Sequence, residues 1–460
     1  MFFPITRTTV MKHPLLPICA GLLSTVHAGD GVLDLTQLAN YANQPVPAYI
    51  TNNNTTAGNP VTDRGATLGR VLFHDRRLSR NNTVSCSSCH VQAHGFSDAA
   101  VASTGVSGTT GRHSMRLINA RFANETRCFW DERATNLENQ TTQPVKDHVE
   151  MGFSGASGDP AFADLVAKLS AIDEYRVLFL MTFGDASITE TRVQRSLAQF
   201  VRSIQSFDSK YDIGRARVAN DGVNFPNFTA RENAGKQLFL APPGGPGGGA
   251  GCAGCHVPPE FDIAPNSLNN GVITKIGGGT DLTNTRSPSL RDLLGPGGQS
   301  NGPYMHDGSF TTLAQVINHY NLIPGNNANL DNRLRRPGGG TQSLNLTQQQ
   351  KDDLAAFLAT LTGSAVYTDE KWSDPFDAEN RLSLIVLPAD SMRITDHGNG
   401  TATVSCNAVP GMTYRLESSA DLKTWSTHAT VVAGPEGFCQ HVVNVSGSAF
   451  HRYAYEPPAQ

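Results

Sequence analysis

Two short cysteine–histidine motifs are the strongest chemical signal in this 460-residue sequence. Each has two cysteines separated by two residues and followed directly by a histidine: Cys86-Ser87-Ser88-Cys89-His90 and Cys252-Ala253-Gly254-Cys255-His256. This spacing is typical of c-type haem attachment, in which the two thiols add to the haem vinyl groups and the histidine coordinates the iron. The sequence therefore predicts two covalently bound haem c groups, with His90 and His256 as their proximal iron ligands.

Two other kinds of cysteine site share part of this pattern. A redox-active cysteine pair has the same spacing but does not require the histidine that follows it. A zinc site would need a further pair of ligands nearby. Both alternatives are weaker, because the complete five-residue pattern occurs twice.

Composition and charge exclude several function classes. The formal net charge is −4, and charged residues make up 17% of the chain. This balance argues against a nucleic-acid-binding surface or a polybasic membrane anchor. The 39% of hydrophobic residues is enough to build packed cores. No stretch reaches the ~18 apolar residues of a transmembrane helix, so we predict no membrane-spanning segment.

Residues 1–28 have the pattern of an export signal. Lys12 precedes an apolar run at residues 14–23, and Val26 and Ala28 are the small residues that a signal peptidase requires. We predict cleavage after Ala28 and a periplasmic or otherwise exported mature protein, from which Cys19 has been removed. The alternative is a short buried helix.

The mature chain is predicted to contain two haem modules, at residues 29–215 and 216–375. Helices are expected just before each motif, the second over 230–239 with Thr229 as its N-cap. Apolar residues at helical spacing predict further helices over 188–207 and 348–361.

A small all-β module is predicted at residues 380–460. Six short strand-like runs separated by turn residues suggest a sandwich-like domain. They are Leu382–Leu387, Thr401–Cys406, Met412–Glu417, Thr430–Ala433, His441–Val445 and Phe450–Tyr455. Cys406 and Cys439 are expected to form a disulfide in an oxidising compartment, with two free thiols as the alternative. Residues 414–425 resemble a β-domain found on exported proteins of some environmental bacteria.

Residues from about 66 to 362 resemble the bacterial di-haem cytochrome c peroxidase and MauG family. Besides the haem motifs, six blocks occur in the family's order. They are Leu72-Phe73 through Arg77-Leu78-Ser79, Leu117-Ile118-Asn119-Ala120, Phe129-Trp130-Asp131-Glu132-Arg133-Ala134, Val149-Glu150-Met151-Gly152, Ser287-Pro288-Ser289-Leu290-Arg291-Asp292 and Pro303-Tyr304-Met305-His306-Asp307-Gly308. The resemblance implies a mainly α fold, with two cytochrome c-like haem domains that face each other around a calcium site. Peroxide would react at the first haem, and the second would transfer electrons.

The same resemblance implies roles for residues near the first haem. Glu150 matches the family's distal glutamate, Gln140 its distal glutamine and Trp130 the tryptophan between the haems. Classical members also have a capping histidine in the loop at residues 101–111, but this chain has none there. The first haem is therefore expected to be open to peroxide even when oxidised. His113 stands where a calcium-ligand asparagine is usual, which puts the calcium ion in doubt.

The second haem is expected to have a ligand opposite His256. Classical peroxidases have a methionine there, and MauG-type members have a tyrosine. Counting along the chain from Pro303 places Tyr320 at this position, with Met305 and His319 as alternative ligands. An anionic oxygen ligand lowers the reduction potential and stabilises oxidised iron.

These observations predict an exported di-haem peroxidase. Its substrate would be hydrogen peroxide, and its electron donor a small redox protein, either a cytochrome c or a cupredoxin. One alternative is a MauG-like enzyme that uses peroxide to oxidise residues of a partner protein. The other is a non-enzymatic electron-transfer cytochrome.

Overall fold

A computed structural model describes residues 29–244, 248–336, 338–388, 390–445 and 449–456. The predicted signal peptide, residues 1–28, lies outside the described residues. Within them the structure has ten α-helices. They are α1 (Asp63–His74), α2 (Cys86–Cys89), α3 (Leu137–Thr141), α4 (Phe162–Ser170), α5 (Asp173–Phe183), α6 (Glu190–Ser203), α7 (Lys210–Arg215), α8 (Ala230–Leu240), α9 (Leu313–Asn321) and α10 (Gln348–Ala359).

The same residues form twelve short strands. They are β1 (Val32–Asp34), β2 (Thr104–Gly105), β3 (Gly108–Thr109), β4 (His256–Val257), β5 (Asp262–Ile263), β6 (Ser383–Ile385), β7 (Arg393–Asp396), β8 (Thr401–Asn407), β9 (Thr413–Ser419), β10 (Ser426–Val432), β11 (Phe438–Asn444) and β12 (Phe450–Ala454).

The two haem modules are built around the same kind of helix pair. In the first, α1 packs on α6, and a Cβ placed on Gly69 would lie 2.0 Å from the Ser196 carbonyl oxygen. In the second, α8 packs on α10, and a Cβ on Gly235 would lie 1.8 Å from the Asp353 carbonyl oxygen. Only glycine permits these approaches, so each helix before a haem motif is fixed against a later helix of its module.

The helices predicted from the sequence are confirmed, with small shifts at their ends. Helix α8 begins after Thr229, whose side chain accepts a hydrogen bond from the Glu232 amide, while the Glu232 carboxylate accepts one from the Thr229 amide. This reciprocal capping box satisfies two amides that would otherwise lack partners.

The C-terminal region contains two three-stranded antiparallel sheets. Their strand orders are β10-β9-β12 and β11-β8-β7. All six predicted strand runs are present, and β7 is a further strand that the sequence did not indicate. Strand β1 pairs in parallel with β6, so the start of the described chain is hydrogen-bonded to the segment that leads into these sheets.

The β-region shares a continuous apolar core with the first haem module. Trp372 and Phe376, which precede the sheets, belong to the same buried cluster as Phe73 of α1 and Leu416 of β9. The second haem module has a separate core. The β-region therefore packs as an extension of the first module.

Cys406 and Cys439 lie directly opposite each other on β8 and β11, and both are buried. The structure contains them as free thiols, so the disulfide favoured from the sequence is not present in it. The strand register nevertheless places the two side chains side by side.

Candidate active site

The first cysteine–histidine motif forms a single helical turn, and the histidine that follows it has its ring fixed by a hydrogen bond. Cys86 and Cys89 are the ends of α2, and His90 follows as its C-cap. His90 Nδ1 donates a hydrogen bond to the Phe96 carbonyl oxygen at 3.1 Å, which leaves Nε2 as the nitrogen that would coordinate iron. Burial lowers the pKa of His90, so the imidazole is neutral, as a metal ligand must be. Burial also raises the pKa of the Cys86 thiol to about 12.

A cavity of about 650 Å³ opens beside this motif. This volume lies within the range of about 300–1,000 Å³ that is usual for cofactor pockets. Its walls include both motif cysteines, His90 and the three residues that the family resemblance singles out: Trp130, Gln140 and Glu150. The donor set and the size of the cavity both fit a haem attached through Cys86 and Cys89.

Glu150 is held on the cavity wall by its backbone. The Asp147 carboxylate accepts hydrogen bonds from the Val149 and Glu150 amides at 2.8 and 3.0 Å. The Glu150 carbonyl oxygen accepts a bond from the Val106 amide of the β2–β3 hairpin. A Cβ on Gly105 of that hairpin would lie 2.0 Å from the Val149 carbonyl oxygen, so this close contact requires glycine.

The carboxyl group of Glu150 titrates near neutral pH. Burial, together with repulsion from Asp147, raises its pKa from 4.5 to about 7, against the opposing attraction of Arg133. A pKa close to the working pH is what an efficient general base requires. Gln140, from α3, lines the same cavity and can donate a hydrogen bond without carrying a charge.

Trp130 lies between the two haem modules. Its ring borders both cavities, and its Nε1 donates a hydrogen bond to the His113 carbonyl oxygen at 2.7 Å. The ring packs edge-on against His306, with 6.2 Å between ring centroids. The amides of Thr285 and Arg286 donate to the Trp130 carbonyl oxygen. Contacts from the second module thus hold both the backbone and the ring of Trp130 in position.

The second cysteine–histidine motif has a different local structure. Cys252 begins a short 3-10 helix, and His256 begins β4, which pairs with β5. Burial raises the pKa of Cys252 to about 12 and lowers the pKa of His256 to about 4, so thiol and imidazole are both uncharged. A cavity of 80 Å³ lies beside them and is lined by Cys252, Cys255, His256 and Tyr320. The two cysteines and the histidine are the residues that a c-type haem requires. The enclosed volume, in contrast, is smaller than that of a usual cofactor pocket.

The three candidate ligands opposite His256 all form hydrogen bonds with Asn270. The Asn270 Nδ2 donates to Tyr320 Oη at 3.2 Å and to Met305 Sδ at 3.4 Å, and His319 Nε2 donates to the Asn270 carbonyl oxygen at 2.9 Å. All three residues are described by the structure, and of them only Tyr320 lines the second cavity. Burial raises the pKa of Tyr320, so without a metal its hydroxyl is protonated.

The sequence did not single out two arginines that line the first cavity. Arg112 binds Asp131 through Nη1 at 2.6 Å and Asp281 through Nε at 2.7 Å, which ties the first module to the second. Arg286 lines both cavities, and its Nη1 donates to the Glu125 carbonyl oxygen at 2.8 Å. Neither residue belongs to a recognisable motif, so only the folded arrangement reveals them.

The described residues contain no group of three or more His, Cys, Asp or Glu side chains that could hold a metal ion. They also contain no helix that is long and apolar enough to span a membrane.

Comparison with known proteins identifies relatives of this chain. A family model described as di-haem cytochrome c peroxidase matches residues 63–217. The methylamine utilization protein MauG of Methylophilus methylotrophus is 32% identical over 320 residues, which are 67% of this chain and 85% of that protein. A cytochrome-c peroxidase of Denitromonas iodatirespirans is 27% identical over 349 residues, which are 68% of this chain and 86% of that protein.

A solved structure agrees with these sequence matches. The crystal structure of a MauG-like protein associated with microbial copper homeostasis superposes with a TM-score of 0.57 and 29% identity. The match covers 73% of this chain and 99% of that one. Two haem centres and a peroxidase-type oxidoreductase activity follow from this relationship. The chain belongs to the di-haem cytochrome c peroxidase and MauG family.

Proposed function

We propose that this protein is an exported di-haem c-type cytochrome peroxidase that reduces hydrogen peroxide with electrons relayed through its second haem. The observation that carries the proposal is the Glu150 carboxyl group, which has a pKa of about 7 and lines the same cavity as His90. A carboxylate in this state can move a proton at the working pH without being consumed.

Both haems are proposed to be attached covalently, one through Cys86 and Cys89 and the other through Cys252 and Cys255. Haem iron bound there would supply the redox chemistry and the Lewis acidity needed to cleave an O–O bond. His90 would hold the first iron through Nε2, because Nδ1 is engaged by a backbone carbonyl oxygen.

The protein's own part in the reaction is to move protons and to orient the peroxide. The Glu150 carboxylate accepts a proton from the inner peroxide oxygen and returns it to the outer oxygen as that atom leaves as water. Gln140 orients the peroxide by hydrogen bonding. Reduction of one peroxide consumes two electrons and two protons and yields two waters. Trp130 lies between the two cavities, where its ring can relay the electrons.

The experiment that tests this proposal compares peroxide turnover by the wild type and Glu150→Gln. The substitution keeps the shape of the side chain but removes the base, so we expect turnover to fall by about 10²- to 10⁴-fold. Glu370→Gln, which alters an exposed carboxylate far along the chain, is the matched control and should keep wild-type turnover. Equal turnover by all three proteins would refute the role of Glu150, and negligible turnover by all three would indicate an electron carrier.

A MauG-like enzyme that oxidises a partner protein is the second candidate function. Two observations favour it: Tyr320 lines the second cavity, and the loop at residues 101–111 has no histidine to cap the first iron. A high-spin ferric signal in the resting electron paramagnetic resonance spectrum would support an open first haem. A near-infrared charge-resonance band after one equivalent of peroxide would favour the MauG-like function, and its absence would favour the peroxidase.

Finer features of the molecule are part of the same proposal. We propose a mainly α pair of cytochrome c-like domains, at 29–215 and 216–375, followed by a β-sandwich at 380–460. Export rests on the sequence of residues 1–28, and fractionation of cells with N-terminal sequencing of the mature protein tests it. The resemblance implies a calcium ion, but His113 stands where a calcium-ligand asparagine is usual, and its ring nitrogens contact the Ala100 carbonyl oxygen and the Ser97 hydroxyl. Metal analysis of the purified protein would decide it.

A further inference from the structure

Arg133 lines the first cavity and belongs to a tight turn at residues 128–134. The turn is closed by Cys128 and Ala134, whose backbone amides each donate a hydrogen bond to the other's carbonyl oxygen. Phe129 and Arg133 are the next residues on either side, and the Cζ atom of Arg133 lies 3.6 Å from the centroid of the Phe129 ring. The Arg133 Nη1 also donates to both carboxylate oxygens of Asp131, at 2.9 and 3.2 Å. Ring and carboxylate together hold the guanidinium group in one place.

The backbone of this turn is strained. Phe129 has a φ of 71° and Glu132 a φ of 54°, in the left-handed region that residues other than glycine rarely adopt. Conformations of this kind are energetically costly, and in native proteins they cluster at active sites. The turn that carries Arg133 therefore has a conformation that function explains better than stability does.

The guanidinium group of Arg133 is only partly engaged by the protein. An arginine side chain carries five N–H donors on three nitrogens. Within the described residues only Nη1 has a hydrogen-bond partner, and that partner is Asp131. No hydrogen bond joins Arg133 to Glu150, so any influence of Arg133 on the Glu150 carboxyl group acts through its charge across the cavity that both residues line.

Few charges surround the Glu150 carboxyl group. The titratable groups of its own segment and of the segments around it are Asp147, His148, Arg80, Asp159, Cys86, Cys89 and Arg133. The hairpin β2–β3, which also contacts this segment, brings no charged residue. Arg80 and His148 are both paired with Asp159. The two cysteines would become thioethers when haem is attached, and would then carry no charge. Asp147 and Arg133 therefore remain as two charges of opposite sign that act on Glu150.

From this arrangement we propose that Arg133 is a positioning residue for the peroxide reaction, whose guanidinium group favours the ionised form of Glu150 and so keeps this carboxylate ready to accept a proton. The inference rests on the proposed function of Glu150 as the base. A nearby opposite charge stabilises the charged form of a carboxyl group, and a like charge destabilises it. Asp147 fixes the Glu150 backbone but opposes ionisation, and Arg133 limits that effect.

The first test measures peroxide turnover against pH for two variants of Arg133 in the full-length holoprotein. Arg133→Gln removes the charge, so the midpoint of the profile should move above 7. Because a half-exposed charge acts only weakly, turnover at pH 6 should fall by about two- to fivefold, while turnover at pH 9 should equal that of the wild type. Arg133→Lys keeps the charge and should keep the wild-type profile.

Arg127→Gln is the matched control. Arg127 directly precedes the same turn, and its side chain is 46% exposed, as is that of Arg133. It pairs with Glu125 and Glu132 and is not part of the wall of the first cavity. Its loss should therefore leave the midpoint of the profile unchanged.

A second measurement follows the ionisation of Glu150 without turnover. Wild-type stability should fall as the pH rises to about 7, and in Arg133→Gln this fall should continue to a higher pH, because the folded protein then ionises Glu150 later. Melting temperatures between pH 5 and pH 9 show the difference. In Glu150→Gln, which has no carboxyl group at this position, the additional change Arg133→Gln should leave the pH dependence as it was.

Three outcomes would overturn the inference. They are an unshifted midpoint in Arg133→Gln, an equal shift in Arg133→Lys or Arg127→Gln, and a change in the haem content or visible spectrum of Arg133→Gln, which would mean that Arg133 holds the cofactor instead. Wild-type turnover by Glu150→Gln would refute the proposed function itself. Loss of turnover in Glu150→Gln with an unshifted midpoint in Arg133→Gln would refute only the role of Arg133, so the two failures are distinguishable.

Discussion

Replacing Glu150 by glutamine should stabilise the protein while it abolishes the proposed base. The native cavity raises the pKa of this carboxyl group from 4.5 to about 7. A raised carboxyl pKa means that the unfolded chain ionises more readily than the folded one. Wild-type stability therefore falls as the pH rises from about 4.5 to 7, and it is constant above that range.

The magnitude follows from the size of the shift. One pKa unit corresponds to 1.36 kcal/mol, so ionising Glu150 in the folded state costs about 3 kcal/mol at pH 8. About 2.5 kcal/mol of this cost develops between pH 5 and pH 8. Glutamine does not ionise, so Glu150→Gln should be more stable than the wild type by a margin that grows by this amount over that range.

Thermal unfolding at pH 5 and pH 8 measures the effect. A domain of 150–250 residues gains about 2–4 °C in melting temperature per kcal/mol, so the advantage of Glu150→Gln should grow by several degrees. Glu370→Gln removes an exposed carboxylate and should show the same difference from the wild type at both pH values. If the advantage of Glu150→Gln is also independent of pH, the cavity does not shift this group and the reasoning is wrong.

Three further predictions use other contacts of the structure. Asp147→Asn keeps the oxygen that accepts a hydrogen bond from the Glu150 amide but removes a charge that repels the Glu150 carboxylate. The midpoint of the pH–turnover profile should therefore move below 7, and an unchanged midpoint would contradict this. Asp212→Asn leaves the fully buried Arg291 without its bidentate partner and should lower the free energy of unfolding by about 3–5 kcal/mol in denaturant titrations. Tyr320→Phe should preserve two haems by mass but change the visible spectrum and raise the reduction potential of one of them; unchanged values would remove Tyr320 as a ligand.

The sequence predicted the parts of this protein whose signal is local. Each cysteine–histidine motif needs only five neighbouring residues, and the N-cap at Thr229 is recognised from the helix that directly follows it. The strand runs after residue 380 were recognisable for the same reason, since alternation and turn residues are short-range patterns. The helices and strands predicted in this way are confirmed with shifts of a few residues, whereas covalent haem attachment stays a prediction.

Contacts between distant segments were not predictable in the same way. The pairing of β1 with β6 joins the start of the described chain to residues 383–385, and nothing in either three-residue segment specifies the other. Arg112 and Arg286 gain their importance only because the two modules bring acidic groups and backbone carbonyl oxygens to them. The disulfide expected between Cys406 and Cys439 failed for a different reason. The strand register does place the two cysteines opposite each other, but their position does not determine whether they are oxidised.

The environment of Glu150 is best explained by function rather than by stability. Asp147, whose carboxylate fixes the Glu150 backbone, also raises the pKa of the neighbouring carboxyl group, and burial acts in the same direction. A cost of about 3 kcal/mol is a large part of the 5–15 kcal/mol that usually holds a domain together. A glutamine would avoid this cost and keep the shape of the side chain. The presence of an acid at this position therefore indicates a site that needs a proton acceptor near neutral pH, in the cavity where His90 would hold iron.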